Sequence, residues 1–397
     1  VSCYYLIINI TGINKRKYPI INQLFLEICS FYCFISIFNN INGIISLVTT
    51  VDHEIKRKRG EDKMDKTLVE EYRGGALECV HNGHICGVSI SGAVKYAVGN
   101  VESVTYLRSS GKPFQAIPVI KHGADRRFGL SDKETAIMIG SHRAETFHVE
   151  ALESMLTKIG VGEEALVCHP TYPLSVPASE AMLRAQKPKR SIYHNCSGKH
   201  LGILALCKTM GYPTEGYFEP EHPAQIEIVD TLAYLSECPR EHIHIGTDGC
   251  GFPVFAIPLK HLATAFMKLA CPEVIEDLEI RAAVIRITAL MNEHYEMIAG
   301  SDRICSSLLM DPNIVAKGGA KGVYCFGLKK EKLGFALKVM DGSEDEWPII
   351  TASILEQIGY SNKETIDRMY QLTPTDMIND NRKIIGTNKA VFTLETI

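Results

Sequence analysis

A chain of 397 residues with 46% hydrophobic content has ample apolar material for a buried core, enough for one large or two ordinary domains. Its 42 basic and 46 acidic side chains leave a net charge of only -4, which excludes a basic stripe able to track a nucleic-acid backbone, so no nucleic-acid partner is expected. The 13 cysteines are odd in number and irregularly spaced, which excludes a disulfide framework and points to a reducing, cytoplasmic compartment where most are small core residues.

The first 63 residues differ from the rest. Leu24 to Val51 is rich in Ile, Phe and Asn and precedes the basic run Lys56-Arg57-Lys58-Arg59, which reads either as a localisation patch or as a solvated charge run. Three readings stay open for this segment. A signal-anchor would keep its basic flank cytoplasmic, but the longest uncharged apolar run, Ile28 to Phe38, is too short to span a bilayer. A cleaved signal peptide lacks a small-residue cleavage site after the apolar run. The third reading is a mature protein that begins near Met64, where the composition changes. The expected organisation is an atypical extension over 1–63 and one compact domain over 64–397.

After Met64, Ile85 to Ile90 and Ala93 to Val98 are β-rich runs around the turn pair Ser91-Gly92, which predicts a hairpin. A strand then leads to Ser109, and Pro113 suits the first turn of a helix running from the serine towards Gly123, with a kink at Pro118. Ser131 to Glu134 is a capping box, and Thr146 to Ile159 has helical spacing. Ser197 to Met210 ends at Gly211. Helical periodicity continues in Pro223 to Leu235 and Val274 to Met291. Ile314 to Lys317, Gly322 to Leu328 and Gly334 to Met340 read as three short strands, and helices near Glu344 to Ile358 and Lys363 to Gln371 close the pattern. A β-edge, a helical middle and a returning β-meander backed by helices make an α+β fold in which distant strands share one sheet.

Within this frame Ser109-Ser110-Gly111-Lys112 is an S-x-x-K unit, and positions i and i+3 of a helix share a face, so the amine stands beside the hydroxyl. A serine is a poor nucleophile until a neighbour takes its proton, and lysine does so only when burial or another cation lowers its pKa. Lys317, at a strand end before Gly318-Gly319, is the natural second cation, placed like the K-T-G element of penicillin-binding enzymes. Ser141, at a predicted helix end, is either an intermediate S-x-N-like serine or a capping serine, and Arg143 stands where that motif has Asn. Asn195 to His200 opens a helix, and Gly246 to Pro253 is a Gly-rich loop; between them Cys196, Lys199 and Cys250 offer either a zinc site with a neutral lysine or buried thiols. His142, His200 and His222 read as general bases or as satisfied structural histidines. Asp302-Arg303 reads as a turn whose guanidinium grips a substrate carboxylate or forms a surface ion pair.

These blocks, in this order, resemble the Rhizobium-type L-asparaginases over about Leu77 to Phe392. Arg108 to Pro113 is similar to that family's nucleophile motif, Ser141-His142 to its second serine motif, Asn195 to His200 to its N-C-S-G-K-H block, Asp248-Gly249-Cys250 to its D-G-C block, and Ala316-Lys317 with Gly319-Ala320 to its late lysine block. The resemblance implies a serine β-lactamase/glutaminase-like fold, an antiparallel sheet packed with helices plus a mainly helical region. It implies hydrolysis of L-asparagine to L-aspartate and ammonia, with Ser109, Lys112, Ser141 and Lys317 catalytic and Arg108 and Asp248 at the substrate. It further implies a zinc ion on Cys196, Lys199 and Cys250. The sequence departs from the family at Arg143-Ala144-Glu145, where a small residue and Gly-Glu are usual, and at Lys321, where Glu is usual. Rival readings are a penicillin-recognising serine hydrolase, a glutaminase, and a non-catalytic amino-acid sensor; a homodimer is the expected assembly.

Overall fold

The computed structural model describes residues 64–397, and the readings made for 1–63 lie outside the described residues. The strands are β1 (Lys66–Arg73), β2 (Ala76–Ser89), β3 (Val94–Val98), β4 (Val104–Tyr106), β5 (His244–Thr247), β6 (Pro253–Pro258), β7 (Ile314–Gly318), β8 (Val323–Leu328), β9 (Leu333–Val339), β10 (Asp376–Ile378), β11 (Ile384–Ala390) and β12 (Glu395–Thr396). One antiparallel sheet runs β10-β11-β1-β2-β9-β8-β7, with β3 on β2 and β12 on β3, while β4, β6 and β5 form a small second sheet. The α+β architecture expected from the pattern is present, and β2 is its seam: Gly83–Ser89 pair with β9, so the N-terminal hairpin and the late β-meander meet in one sheet.

β7 and β8 are buried at every position, as strands covered on both faces must be. The helix Leu259–Ala270 packs on this sheet, and glycines allow the contact: a Cβ at Gly334 would lie 2.3 Å from the Ala263 carbonyl oxygen, and one at Gly327 2.4 Å from that of Phe266. This helix is not among those predicted from the sequence, although Leu259, Leu262, Ala263, Phe266, Leu269 and Ala270 recur at helical spacing. On the sheet's other side Trp347 meets Tyr324, with ring centroids 5.2 Å apart.

The helical region is built as the caps predict. The Ser131 and Glu134 capping box opens Asp132–Ile137, and Thr146–Ile159 ends at left-handed Gly160. Ser197–Met210 ends at left-handed Gly211 and is buried from Ser197 through Cys207, so it runs through the interior rather than along a surface. Among the described residues no helix is long and apolar enough to cross a membrane. The ten described cysteines are all free thiols, and only Cys79 is exposed.

One buried polar knot fixes the approach to β7. Asp311 Oδ2 accepts hydrogen bonds from Tyr360 (2.7 Å), Asn362 (2.8 Å) and Thr365 (2.8 Å), and Oδ1 accepts from the Asn313 amide (3.0 Å). Burial alone would raise this carboxyl, but those donors outweigh it and hold it below the usual carboxylate range. Asp311→Ala strands three buried donors and is expected to cost about 3 kcal/mol in urea unfolding. A loss within experimental error would show that the knot does not hold the strand.

Candidate active site

β4 runs into a turn whose first residue, Arg108, has φ 51°, a left-handed conformation that costs a non-glycine residue about 1–2 kcal/mol. The guanidinium is tied down by Asp248, with Nε and Nη2 at 2.9 and 2.8 Å from Oδ1. Ser109 follows within a 3-10 turn, Arg108–Gly111, and the α-helix begins only at Lys112. The serine is therefore one turn ahead of the α-helix rather than at its start. The 3-10 geometry, with three residues per turn, still stacks i over i+3. Ser110 faces inward, donating to the Leu107 carbonyl at 2.6 Å, which leaves Ser109, half-buried, on the side of the cleft. Gly319 lets the end of β7 close on this turn, since a Cβ there would lie 2.6 Å from the Leu107 carbonyl oxygen.

The cleft has a volume of about 350 Å³, and Ser109, Ser141, Lys317, Arg108, Asp248, Cys196 and Cys250 all line it. Lys112 lies just behind, 1% exposed. Its Nζ is 2.6 Å from the Gly140 carbonyl, 3.0 Å from the Asn195 carbonyl and 3.1 Å from Ser141 Oγ. Lys317 Nζ donates to the same Ser141 Oγ at 3.0 Å and to the Gly318 carbonyl at 2.9 Å. Ser141 thus bridges the two lysines, while Ser109 Oγ has no hydrogen-bond partner among the described residues. Two of three contacts to Lys112 are carbonyls, which only accept. A neutral amine satisfies both with its two N–H bonds and keeps its lone pair towards the Ser141 hydroxyl.

Burial is what lowers the Lys112 pKa, opposed by the sulfur of Cys196 and helped by the Lys199 charge. The sequence reading assigned that task to Lys317, but desolvation of a fully enclosed amine outweighs any single neighbouring charge here. Lys317 itself is brought down to about 8, again mainly by burial.

The other implied residues also converge. Lys199 Nζ is 3.2 Å from Cys250 Sγ and 4.3 Å from the centroid of the Phe252 ring. The neighbouring Cys250 thiol pulls the Cys196 pKa well below the ordinary thiol range against its burial, with the Lys199 charge assisting. Burial alone would lower the Lys199 pKa, but the two sulfurs more than offset it and raise it. Two buried sulfurs and an amine form a soft donor set that fits a zinc ion once their protons are given up.

The three histidines behave as structural groups. His142 accepts from the Ala144 amide and donates to Ser197 at 2.8 Å, His222 caps Pro223–Ser236, and His200 meets Tyr217 at 2.8 Å. Burial lowers the His142 and His200 pKa values well below the ordinary range, which keeps both rings neutral. Arg303 does line the cleft, and so does Arg143, which the sequence reading noted only as a departure. Burial, and then Arg303, lower the Arg143 pKa, so the two guanidiniums lie close together. Glu344 and Trp347 on the rim were not anticipated; nothing local marks them, because they arrive from beyond the sheet. Ala144 adopts φ 53°, which explains why a glycine suits that place.

No curated protein matches the chain. Among solved structures it is similar to a protein described as a β-lactamase from Bacteroides dorei DSM 17855, at 14% identity over 78% of this chain and 98% of that one, with a TM-score of 0.40. It is also similar to a β-lactamase from Mycobacterium bovis (13% identity, 69% and 94% coverage, TM-score 0.36) and to a protein named Mglu (13% identity, 82% and 76% coverage, TM-score 0.32). The sequence matches the L-asparaginase II family over residues 69–390, nearly the whole described region. The chain belongs to the L-asparaginase II family, a family of amidohydrolases.

Proposed function

We propose that this protein hydrolyses the side-chain amide of L-asparagine through an ester on Ser109. The observation that carries the reading is the enclosed Lys112 amine, three residues from Ser109, held by two carbonyls and by a Ser141 hydroxyl that also contacts Lys317. Lys112 takes the Ser109 proton as Oγ attacks the amide carbon. The C–N bond then breaks and the proton passes to the leaving nitrogen, with Ser141 between the two lysines as the relay. Water next cleaves the aspartyl ester, with Lys112 again accepting a proton. Backbone N–H groups of the Arg108–Gly111 turn are the candidate donors for the oxyanion.

The substrate is a small amino acid because the cleft offers one sign of charge to each end. Arg143 and Arg303 suit the α-carboxylate. Asp248 uses Oδ1 for Arg108 and for the Gly249 amide (2.8 Å), while Oδ2 has no partner among the described residues and suits the α-ammonium. Cys196, Lys199 and Cys250 would hold a zinc ion, which would supply a fixed positive charge beside the cleft.

Purified protein should release ammonia from L-asparagine faster than from L-glutamine, by roughly 10- to 200-fold for one methylene. Equal or reversed rates would reassign it as a glutaminase, and nitrocefin turnover without ammonia release would reassign it as a penicillin-recognising hydrolase. Ligand-dependent melting with no turnover at all would make it a sensor.

Asp248→Asn should raise KM for asparagine about 10- to 100-fold, a cost of ~1.4–2.7 kcal/mol. Succinamate, which lacks the α-amino group, should be a poor substrate for both proteins and show no such difference. An equal loss on succinamate would mean that Asp248 acts through Arg108 alone.

A further inference from the structure

Away from the cleft, β1 and β2 bring together a second group of metal-ligating side chains that the hydrolysis does not use. Glu71 and Cys79 are directly opposed across the two strands, and His81, two residues after Cys79, shares its face. A Glu71 carboxylate oxygen, Cys79 Sγ and a His81 ring nitrogen lie within 4.8 Å of one another.

His81 is more than nine-tenths buried, and its two nitrogens are treated differently. Nδ1 is 2.7 Å from Asp341 Oδ2. An ionised carboxylate only accepts, so Nδ1 carries the proton in that contact. Nε2 is buried without a hydrogen-bond partner, as is Oε2 of the buried Glu346. Around Nε2 stand Glu71 Oε1 at 3.5 Å and Glu346 Oε1 at 3.4 Å. A neutral imidazole lone pair facing two carboxylates is repulsive, and either a proton on Nε2 or a metal cation between the three groups relieves it. Donors about 2.0–2.2 Å from a tetrahedral zinc are themselves roughly 3.3–3.6 Å apart, which is the spacing of Nε2 from each of the two carboxylate oxygens. The Asp341 contact supplies the carboxylate-to-imidazole orientation that metal-bound histidines use.

We propose that Glu71, Cys79 and His81, with the Glu346 carboxylate beside His81, form a second divalent-cation site, for zinc or a similar borderline ion, independent of the Cys196–Cys250 cluster. Its effect is mechanical. Glu346 caps the helix Trp347–Gln357, and Glu344 and Trp347 border the cleft, so a cation would pin this rim segment to β1 and β2.

The test uses full-length protein stripped with a chelator and titrated with zinc chloride, in a Cys196→Ser/Cys250→Ser background that silences the cleft cluster. One equivalent of zinc per chain should bind by calorimetry and elemental analysis and raise Tm. Glu71→Gln and Cys79→Ser, whose side chains are partly or fully exposed and whose loss leaves the fold intact, should each abolish that equivalent or weaken it at least tenfold. Cobalt should give a thiolate charge-transfer band that Cys79→Ser removes. Failure of the double variant to take up zinc, or uptake and a band unchanged by both substitutions, would overturn the site. Activity is not the readout, so failure here would leave the amidohydrolase reading standing.

Discussion

Replacing Ser109 with alanine should reduce ammonia release from L-asparagine by at least about 10⁴-fold, ~5 kcal/mol of transition-state stabilisation, with little change in the affinity for L-aspartate. The expectation follows from a hydroxyl that lines the cleft with no hydrogen-bond partner among the described residues, three residues before a buried amine. The neighbouring Ser110 is the control. Its hydroxyl is spent on the Leu107 carbonyl, so Ser110→Ala should cost about 1 kcal/mol of stability and leave kcat within a few-fold. Near-normal turnover by Ser109→Ala would reject the nucleophile outright, and equal losses in both variants would assign the effect to the turn rather than to the oxygen.

The second large effect concerns the two lysines. Lys112→Met should lower kcat about 10³-fold, because it removes the proton acceptor and leaves the Gly140 and Asn195 carbonyls facing a thioether. Lys317 predicts the shape of the pH profile. Its pKa is near 8 because burial penalises the charge, so it is protonated below that pH and neutral above it. Its positive charge repels a proton on Lys112, which helps to keep that amine neutral, so kcat/KM should fall as pH rises through about 8. Rising pH also removes the proton from Lys112, which produces the acid limb. Lys317→Gln should lose the alkaline limb along with most of the activity. A limb that survives unchanged near pH 8 in that variant would remove Lys317 from the mechanism.

Much of this protein is legible before any coordinates. Ser131 and Glu134 announce a helix start, Gly160 and Gly211 end helices where a left-handed residue is needed, and Ser109 and Lys112 stand three residues apart. The spacing of the late strands likewise marks β7 to β9. The signal fails where the information is not local. Leu259–Ala270 has helical spacing but follows directly on β6 and was passed over, while β1 and β10 to β12 are short or half-exposed strands whose alternation is weak.

The sequence by itself determined most of the elements, their order and the S-x-x-K spacing of Ser109 and Lys112, because each depends on dihedral preferences and neighbours within a turn or two of the chain. Only the tertiary structure decided what Lys112 touches. Its partners come from Gly140, Ser141 and Asn195, and the Lys317 that shares Ser141 arrives on an edge strand placed by the pairing of β7 with β8 and, through β9, with β2. Burial of that amine, and with it the pKa shift that makes it a base, is a property of packing between segments far apart in the chain. No spacing rule along the chain encodes how much water such packing removes.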